Sequence, residues 1–349
     1  MGLVGRLFLS MVASWASYLA LALSCLGQAA ETLQSHVFEK PQMGVPFRLV
    51  IRTDQGLEFA ESAASKTWSR IEALNQVFSN YQTDSELSLL GQGSGRGLWV
   101  AVSPDLWELM MRSQRLAYLS DGAFDLTMGP LTALWRKSRR EQSIPDAEEL
   151  ARARAKSGWQ HLLMMPEAHS VCLTQPGMRL DPGGIAKGYA LDAGIEVLKG
   201  MGVQHALLSG GGDMMSLGGR SLSEPWQIRL ASLVEDEDED EDVNETEDLI
   251  PLQDMAMATS GDLFQFVEID GKRYSHILNP STGMGLTTRS LVTVVASDAT
   301  TADAVATTLS VLGPIEGRKW VKRHDPNLKV RFLWVDDEDQ VQGYDTLLD

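Results

Sequence analysis

The chain has 349 residues, 44% of them hydrophobic, which excludes a disordered chain and leaves room for a substantial core in one large or two ordinary domains. Its 47 acidic residues against 30 basic ones give a formal charge of −17, which argues against a nucleic-acid partner. The two cysteines, Cys25 and Cys172, have no zinc-type spacing, and no structural disulfide is expected within the mature chain.

Residues 1–30 read as a targeting segment. Arg6 supplies a small positive region, Leu7 to Leu26 is apolar, and Gly27-Gln28-Ala29 offers a small-x-small cleavage site. The run also approaches the roughly 20 residues of a membrane-spanning helix. A lipid anchor at Cys25 is the third alternative, though Ala22-Leu23-Ser24 before it is a poor lipoprotein signal. The expectation is an exported, periplasmic protein, its N-terminal segment cleaved or holding it at the inner membrane. Residues 31–349 are treated as a single catalytic unit, with no internal repeat and no linker that cleanly splits it.

Val45 to Arg52 predicts a strand after a Met43-Gly44 turn. Ala60, Ala64, Trp68, Ile71, Leu74, Val77 and Phe78 predict an amphipathic helix over 57–79. A polar turn follows over 80–87; by spacing alone its Tyr81 is a half-buried packing residue. Gly91 to Gly97 is a glycine-rich loop. Ser103-Pro104-Asp105 predicts a helix start, with a serine cap, proline at the first position and an acid at the positive dipole end. Gly122 to Leu131 reads as an extended loop that places Phe124 and Asp125 on a ligand wall. Residues 137–158 are charged and helical, with a break at Pro145.

The glycine-rich stretch Asp181-Pro182-Gly183-Gly184-Ile185-Ala186-Lys187-Gly188 runs into a helix marked by Leu191, Ile195 and Leu198. Its glycines let the backbone approach a ligand, and the helix N-terminus favours an anion. His205 to Ser209 is a buried strand, Gly210 to Asp213 a turn, and Met214 to Leu217 a returning strand. Neither glycine cluster fits a Rossmann or P-loop signature. The acidic run over 235–248 is expected to be a disordered surface loop, with calcium binding as the weaker reading. A strand is expected near Leu263 to Ile269 with a hairpin turn at Gly271, and another over Leu291 to Ala296. His276 stands at a strand end before Asn279-Pro280 and a glycine turn. A helix over 300–312, ended by Gly313, carries Asp303 and Thr307 one turn apart on one face.

Asp181, Lys187, His276, Asp303 and Thr307 are thus the candidate chemistry. Carboxylate, hydroxyl and carbonyl oxygens are hard ligands that suit Mg²⁺ better than zinc, and lysine can neutralise phosphate charge beside them. By spacing alone an Asp and a Thr one turn apart are also an ordinary exposed helix face.

Eight ordered motifs carry a resemblance: Met43-Gly44; Tyr81 with Asp84-Ser85-Glu86-Leu87; Gly122-Ala123-Phe124-Asp125 with Gly129-Pro130-Leu131 and Trp135; Asp181-x-Gly183-Gly184-x-x-Lys187-Gly188-Tyr189-x-x-Asp192; Gly211-Gly212-Asp213; Ala258-Thr259-Ser260-Gly261; His276-Ile277-x-x-Pro280-x-x-Gly283; and Ala302-Asp303-Ala304-x-Ala306-Thr307. Over about Met43 to Gly313 the chain resembles the ApbE family of FAD:protein FMN transferases. The resemblance implies an α/β (α+β) fold related to the T-fold, with mixed sheets flanked by helices. It implies Mg²⁺ held by the Gly184 carbonyl, Asp303 and Thr307. It implies FAD held by Met43, Tyr81, Ala123, Phe124, Asp125, Asp181, Lys187, His276 and Ile277. The implied reaction moves FMN from FAD to a Ser or Thr hydroxyl of an exported or membrane-bound redox protein and releases AMP. Lys187 would support phosphate charge, His276 is the candidate base and Asp303 its rival. Two other readings stay open: a Mg²⁺-dependent FAD pyrophosphatase and a flavin-binding protein without turnover. The chain departs from the family in its long acidic run and in Asn279, which replaces a more usual acid but keeps a turn-forming side chain.

Overall fold

The computed structural model describes residues 33–233, 249–262 and 265–348. The targeting segment with Cys25, the acidic run and Leu263-Phe264 lie outside the described residues. No helix among those described is long and apolar enough to cross a membrane.

One eight-stranded sheet organises the molecule. Its strands are β1 (Gln34–Gln42), β2 (Val45–Thr53), β3 (His205–Gly210), β4 (Asp213–Leu217), β5 (Ala256–Gly261), β6 (Ser290–Ala296), β7 (Lys329–Val335) and β8 (Val341–Asp345). They lie side by side in chain order, and every pairing is antiparallel. This excludes the parallel sheet of a Rossmann unit. Two tight turns set the registers at one end. Met43 (φ 49°) and Gly44 (φ 80°) join Gln42 to Val45, and Gly211 (φ 62°) and Gly212 (φ 94°) join Gly210 to Asp213. Left-handed residues suit such hairpins because their twist matches that of the strands. Phe47 pairs with Gly210, so both turns open on the same edge of the molecule.

The helices are α1 (Gly56–Phe78), α2 (Glu86–Gln92), α3 (Pro104–Leu119), α4 (Gly129–Glu141), α5 (Ala147–Arg154), α6 (Ala186–Gly200) and α7 (Ala299–His324). Ile71, Leu74, Leu191, Ile195, Leu208, Ala302 and Leu309 are fully buried where α1, α6 and α7 meet one sheet face. Trp226–Arg229 and Leu249–Leu252 form a hairpin whose Trp226, Ile228 and Leu252 cover the other face with Met257.

Two contacts fix α7 against α6. The Asp192 carboxylate accepts the backbone N–H groups of Ala299 (2.7 Å) and Thr300 (2.9 Å), capping α7 from its neighbour. Gly188 lies so close that an added Cβ would sit 2.1 Å from the Ala299 carbonyl oxygen. Gly188→Ala must therefore push the helices apart. We expect it to cost at least about 1–3 kcal/mol, seen as a lower urea midpoint; an unchanged midpoint would contradict this packing.

The expected strand over 45–52, the helix over 57–79, the Ser103-capped helix and the strand over 291–296 all form, and Ser103 accepts the Leu106 N–H. Several boundaries differ. The loop after Gly122 ends at Met128, because Pro130 starts α4 inside the span read as extended. The charged segment is two helices parted at Pro145, the second capped by Asp146. Glu86–Gln92, read as turn and glycine-rich loop, is a short helix capped by Ser85. Ala256–Gly261 is a central strand, and the following strand spans Phe266–Ile269. Gly313 (φ 74°, ψ 175°) breaks α7 as expected, but Pro314 restarts it.

Candidate active site

A cleft of about 880 Å³ opens where the two tight turns, the loop before α6, the C-terminal end of β5 and α7 converge. That size lies within the range of about 300–1,000 Å³ usual for ligand sites. Met43, Tyr81, Ala123, Phe124, Asp125, Asp181, Gly184, Lys187, His276, Ile277, Asp303 and Thr307 all line it. Residues more than a hundred positions apart are brought within contact.

At its floor the Lys187 ammonium lies 2.8 Å from Asp213 and 3.3 Å from both oxygens of Asp303. Burial disfavours the lysine's charge, but the two carboxylates more than offset this and its pKa is raised. Burial raises Asp213, aided by repulsion from Asp303 and opposed by Lys187. Asp213 also accepts the Thr259 N–H at 3.3 Å. Its carboxylate was not singled out in the sequence; the only signal was its place in the Gly211-Gly212-Asp213 motif. Gly211 suits this place because its backbone is left-handed (φ 62°) and an added Cβ would press on the stem of Lys187 and on Val45, each at 3.2 Å.

Asp303 takes up a second task. One of its oxygens accepts the Gly188 N–H at 3.1 Å. Gly188 is the third residue of α6, so its N–H is one of the first-turn donors that the helix cannot satisfy itself, and Asp303 caps it; the Gly184 carbonyl receives no backbone hydrogen bond among the described residues. Gly184 is also in contact with Thr307: an added Cβ would meet the Thr307 hydroxyl at 3.1 Å. That hydroxyl makes no hydrogen bond among the described residues, unlike those of Thr308 and Ser310, which bond back along the helix. A carboxylate, a free carbonyl and a free hydroxyl thus share one corner. Among the described residues no three His, Cys, Asp or Glu side chains cluster, so a metal here would rely on this hard-oxygen set, which fits Mg²⁺.

Asp181 accepts the Gly183 N–H (3.0 Å) in a tight local turn and the Arg136 guanidinium (3.1 Å). Arg136 also lies over the Tyr81 ring, 4.3 Å from its centroid. Tyr81 is 77% exposed at the rim, which corrects the half-buried packing expected from spacing alone. The ring stands outside because Ser79 and Ser85 turn the backbone after α1. Asp125 reaches the cleft only as wall: its oxygens accept the Thr127 N–H and hydroxyl (2.7 Å each) and the Trp159 N–H (3.0 Å). Asp181 N–H bonds to the Leu126 carbonyl at 2.8 Å, which ties that wall to the glycine turn.

His276 stands exposed in the cleft, its Nδ1 3.1 Å from the Gln265 carbonyl. In the neutral ring Nδ1–H donates there, leaving Nε2 as the acceptor. Partial desolvation within the cleft, with the charges of Arg139 and Lys187, holds its pKa below the usual histidine value. Ile277 is buried beside it. Asn279 makes the turn expected of it, accepting the Ser281 N–H at 2.9 Å while its carbonyl receives Gly283 at 2.7 Å.

The ApbE family profile matches residues 43–332. A protein of Vibrio cholerae named FAD:protein FMN transferase is 31% identical over 307 residues, covering 87% of this chain and 89% of the relative. The solved flavin transferase ApbE from Vibrio cholerae superposes with a TM-score of 0.78 at 28% identity, over 90% of this chain and 97% of that one. The apo flavinyl transferase ApbE of Pseudomonas stutzeri gives 0.77 at 28% identity, over 90% and 95%. With its profile, its sheet and its cleft in agreement, the chain belongs to the ApbE family.

Proposed function

We propose that the protein transfers FMN from FAD to a Ser or Thr hydroxyl of an acceptor protein, in a Mg²⁺-dependent reaction that releases AMP. The observation that carries this reading is the corner where Gly184, the Asp303 carboxylate and the unbonded Thr307 hydroxyl meet beside the charged Lys187. When bound there, Mg²⁺ would supply charge neutralisation for the pyrophosphate. Lys187 would bear on the same phosphate charge, steadied by Asp213. His276 Nε2 would take the proton of the acceptor hydroxyl as oxygen bonds to phosphorus and the bond to AMP breaks. Met43, Tyr81, the Ala123-Phe124-Asp125 wall, Asp181 and Ile277 would hold the dinucleotide.

The acceptor is proposed to be an exported or membrane-bound redox protein, with this chain working in the periplasm, in keeping with residues 1–30. The test is incubation with FAD, Mg²⁺ and a candidate acceptor domain. Flavin fluorescence that stays with the acceptor on a denaturing gel is the expected result. FMN and AMP appearing only in solution would make the protein a pyrophosphatase, and intact FAD would leave it a flavin-binding protein.

A further inference from the structure

In a chain with an excess of acid, the cleft carries three arginines: Arg136, Arg139 and Arg229. Arg136 is engaged by Asp181 and Tyr81. Arg139 lies one turn further along α4 on the same face, half-buried in the cleft wall. Among the described residues its guanidinium has neither a hydrogen bond nor an ion pair. Its neighbours differ: Lys137 is paired with Glu149 at 2.9 Å, and Arg140 is exposed away from the cleft. A partly desolvated, unpaired guanidinium in a ligand cleft is costly unless an anion completes it.

We infer that Arg139 is a specificity-determining residue that binds a phosphoryl group of the dinucleotide from the α4 wall of the cleft. The inference rests on the flavin-transferase reading for the identity of the dinucleotide. The placement follows from chemistry already described. His276 must sit beside the acceptor hydroxyl, and that hydroxyl beside the phosphorus it attacks. Arg139 and His276 line the same cleft, so a phosphoryl group beside the attacked phosphorus lies in the space that both border. A guanidinium can grip two oxygens of one phosphoryl group at once, which the point charge of Lys187 cannot. Arg136, held by Asp181, would then orient the pair's other half toward the Tyr81 ring.

The test is equilibrium binding of riboflavin, FMN and FAD, followed by flavin fluorescence with a chelator present so that no metal enters. The wild-type protein should bind FAD and FMN more tightly than riboflavin, which has no phosphate. Arg139→Gln should weaken FAD about 10- to 100-fold and leave riboflavin unchanged. Arg139→Lys should fall between, and Arg140→Gln should match wild type. Unchanged FAD affinity in Arg139→Gln, equal losses for riboflavin and FAD, or a wild-type protein without preference for FAD would each overturn the inference. A wild-type protein that moves no FMN to any acceptor, with the Arg139→Gln loss still selective for FAD, would sink the transferase reading and leave this one standing.

Discussion

Asp303→Asn is expected to abolish Mg²⁺-dependent FMN transfer, lowering turnover by about 10²–10³-fold or more. The amide keeps the volume of the carboxylate and its carbonyl oxygen can still accept the Gly188 N–H, so the start of α6 stays in place. What is lost is the charge at the corner shared with the Gly184 carbonyl and the Thr307 hydroxyl, and with it most of the attraction for a hard cation. Lys187 keeps Asp213 as partner, so it remains charged and buried. The denaturation midpoint should therefore move little. Asp303→Ala should behave differently, because it leaves the Gly188 N–H without an acceptor and adds about 1–3 kcal/mol of destabilisation to the loss of activity. The pair of variants separates metal binding from structure: titrating Mg²⁺ against transfer rate at saturating FAD reads the first, and urea unfolding reads the second. Wild-type turnover and Mg²⁺ dependence in Asp303→Asn would remove Asp303 from the metal assignment.

His276→Gln should lower turnover by about 10²–10⁴-fold while FAD binding changes by only a few-fold. The base must be neutral to accept a proton, and burial with the nearby positive charges lowers its pKa. The sign follows: the neutral ring persists below the ordinary histidine value of about 6.5, so the rate stays on its plateau through neutral pH. It falls only as acid takes the ring through its depressed pKa. A profile of kcat/KM against pH for the wild-type protein should carry this acid limb below about 6.5, and the glutamine variant should lack it. A wild-type limb lying above that value, or one that survives in His276→Gln, would assign the proton to another group.

Much of this site was legible because its parts depend on local rules. Ser103-Pro104 starts a helix by capping chemistry that acts over one turn. Met43-Gly44 and Gly211-Gly212 make hairpins because each supplies the left-handed backbone the turn demands. Asp303 and Thr307 share a face because a helix repeats every 3.6 residues. The elements read wrongly were those in which a local signal competes with another. Gly91 and Gly93 suggested a loop, yet Ser85 caps a helix that ends between them. Pro130, inside an apparently irregular stretch, opens a helix rather than prolonging a loop. Ala256 to Gly261 has no strong strand pattern, and it becomes a strand because β4 and β6 flank it and supply its partners.

The types of donor were a property of the sequence alone: a lysine and backbone carbonyls in a glycine turn, a carboxylate and hydroxyl one turn apart, a histidine beside a glycine turn. Which of them meet was decided by the tertiary structure. Lys187 and Asp303 are 116 residues apart, and no spacing rule connects them. Their meeting depends on Asp192 capping α7 and on Gly188 letting α6 and α7 touch. The same closeness lets Asp303 cap the Gly188 N–H and sets Gly184 against Thr307. Asp213 on Lys187 and Arg136 on Tyr81 are likewise products of packing across elements. Local sequence sets what each residue can do, whereas long-range packing sets which groups share a dry corner, and only that sharing turns ordinary oxygens into a site.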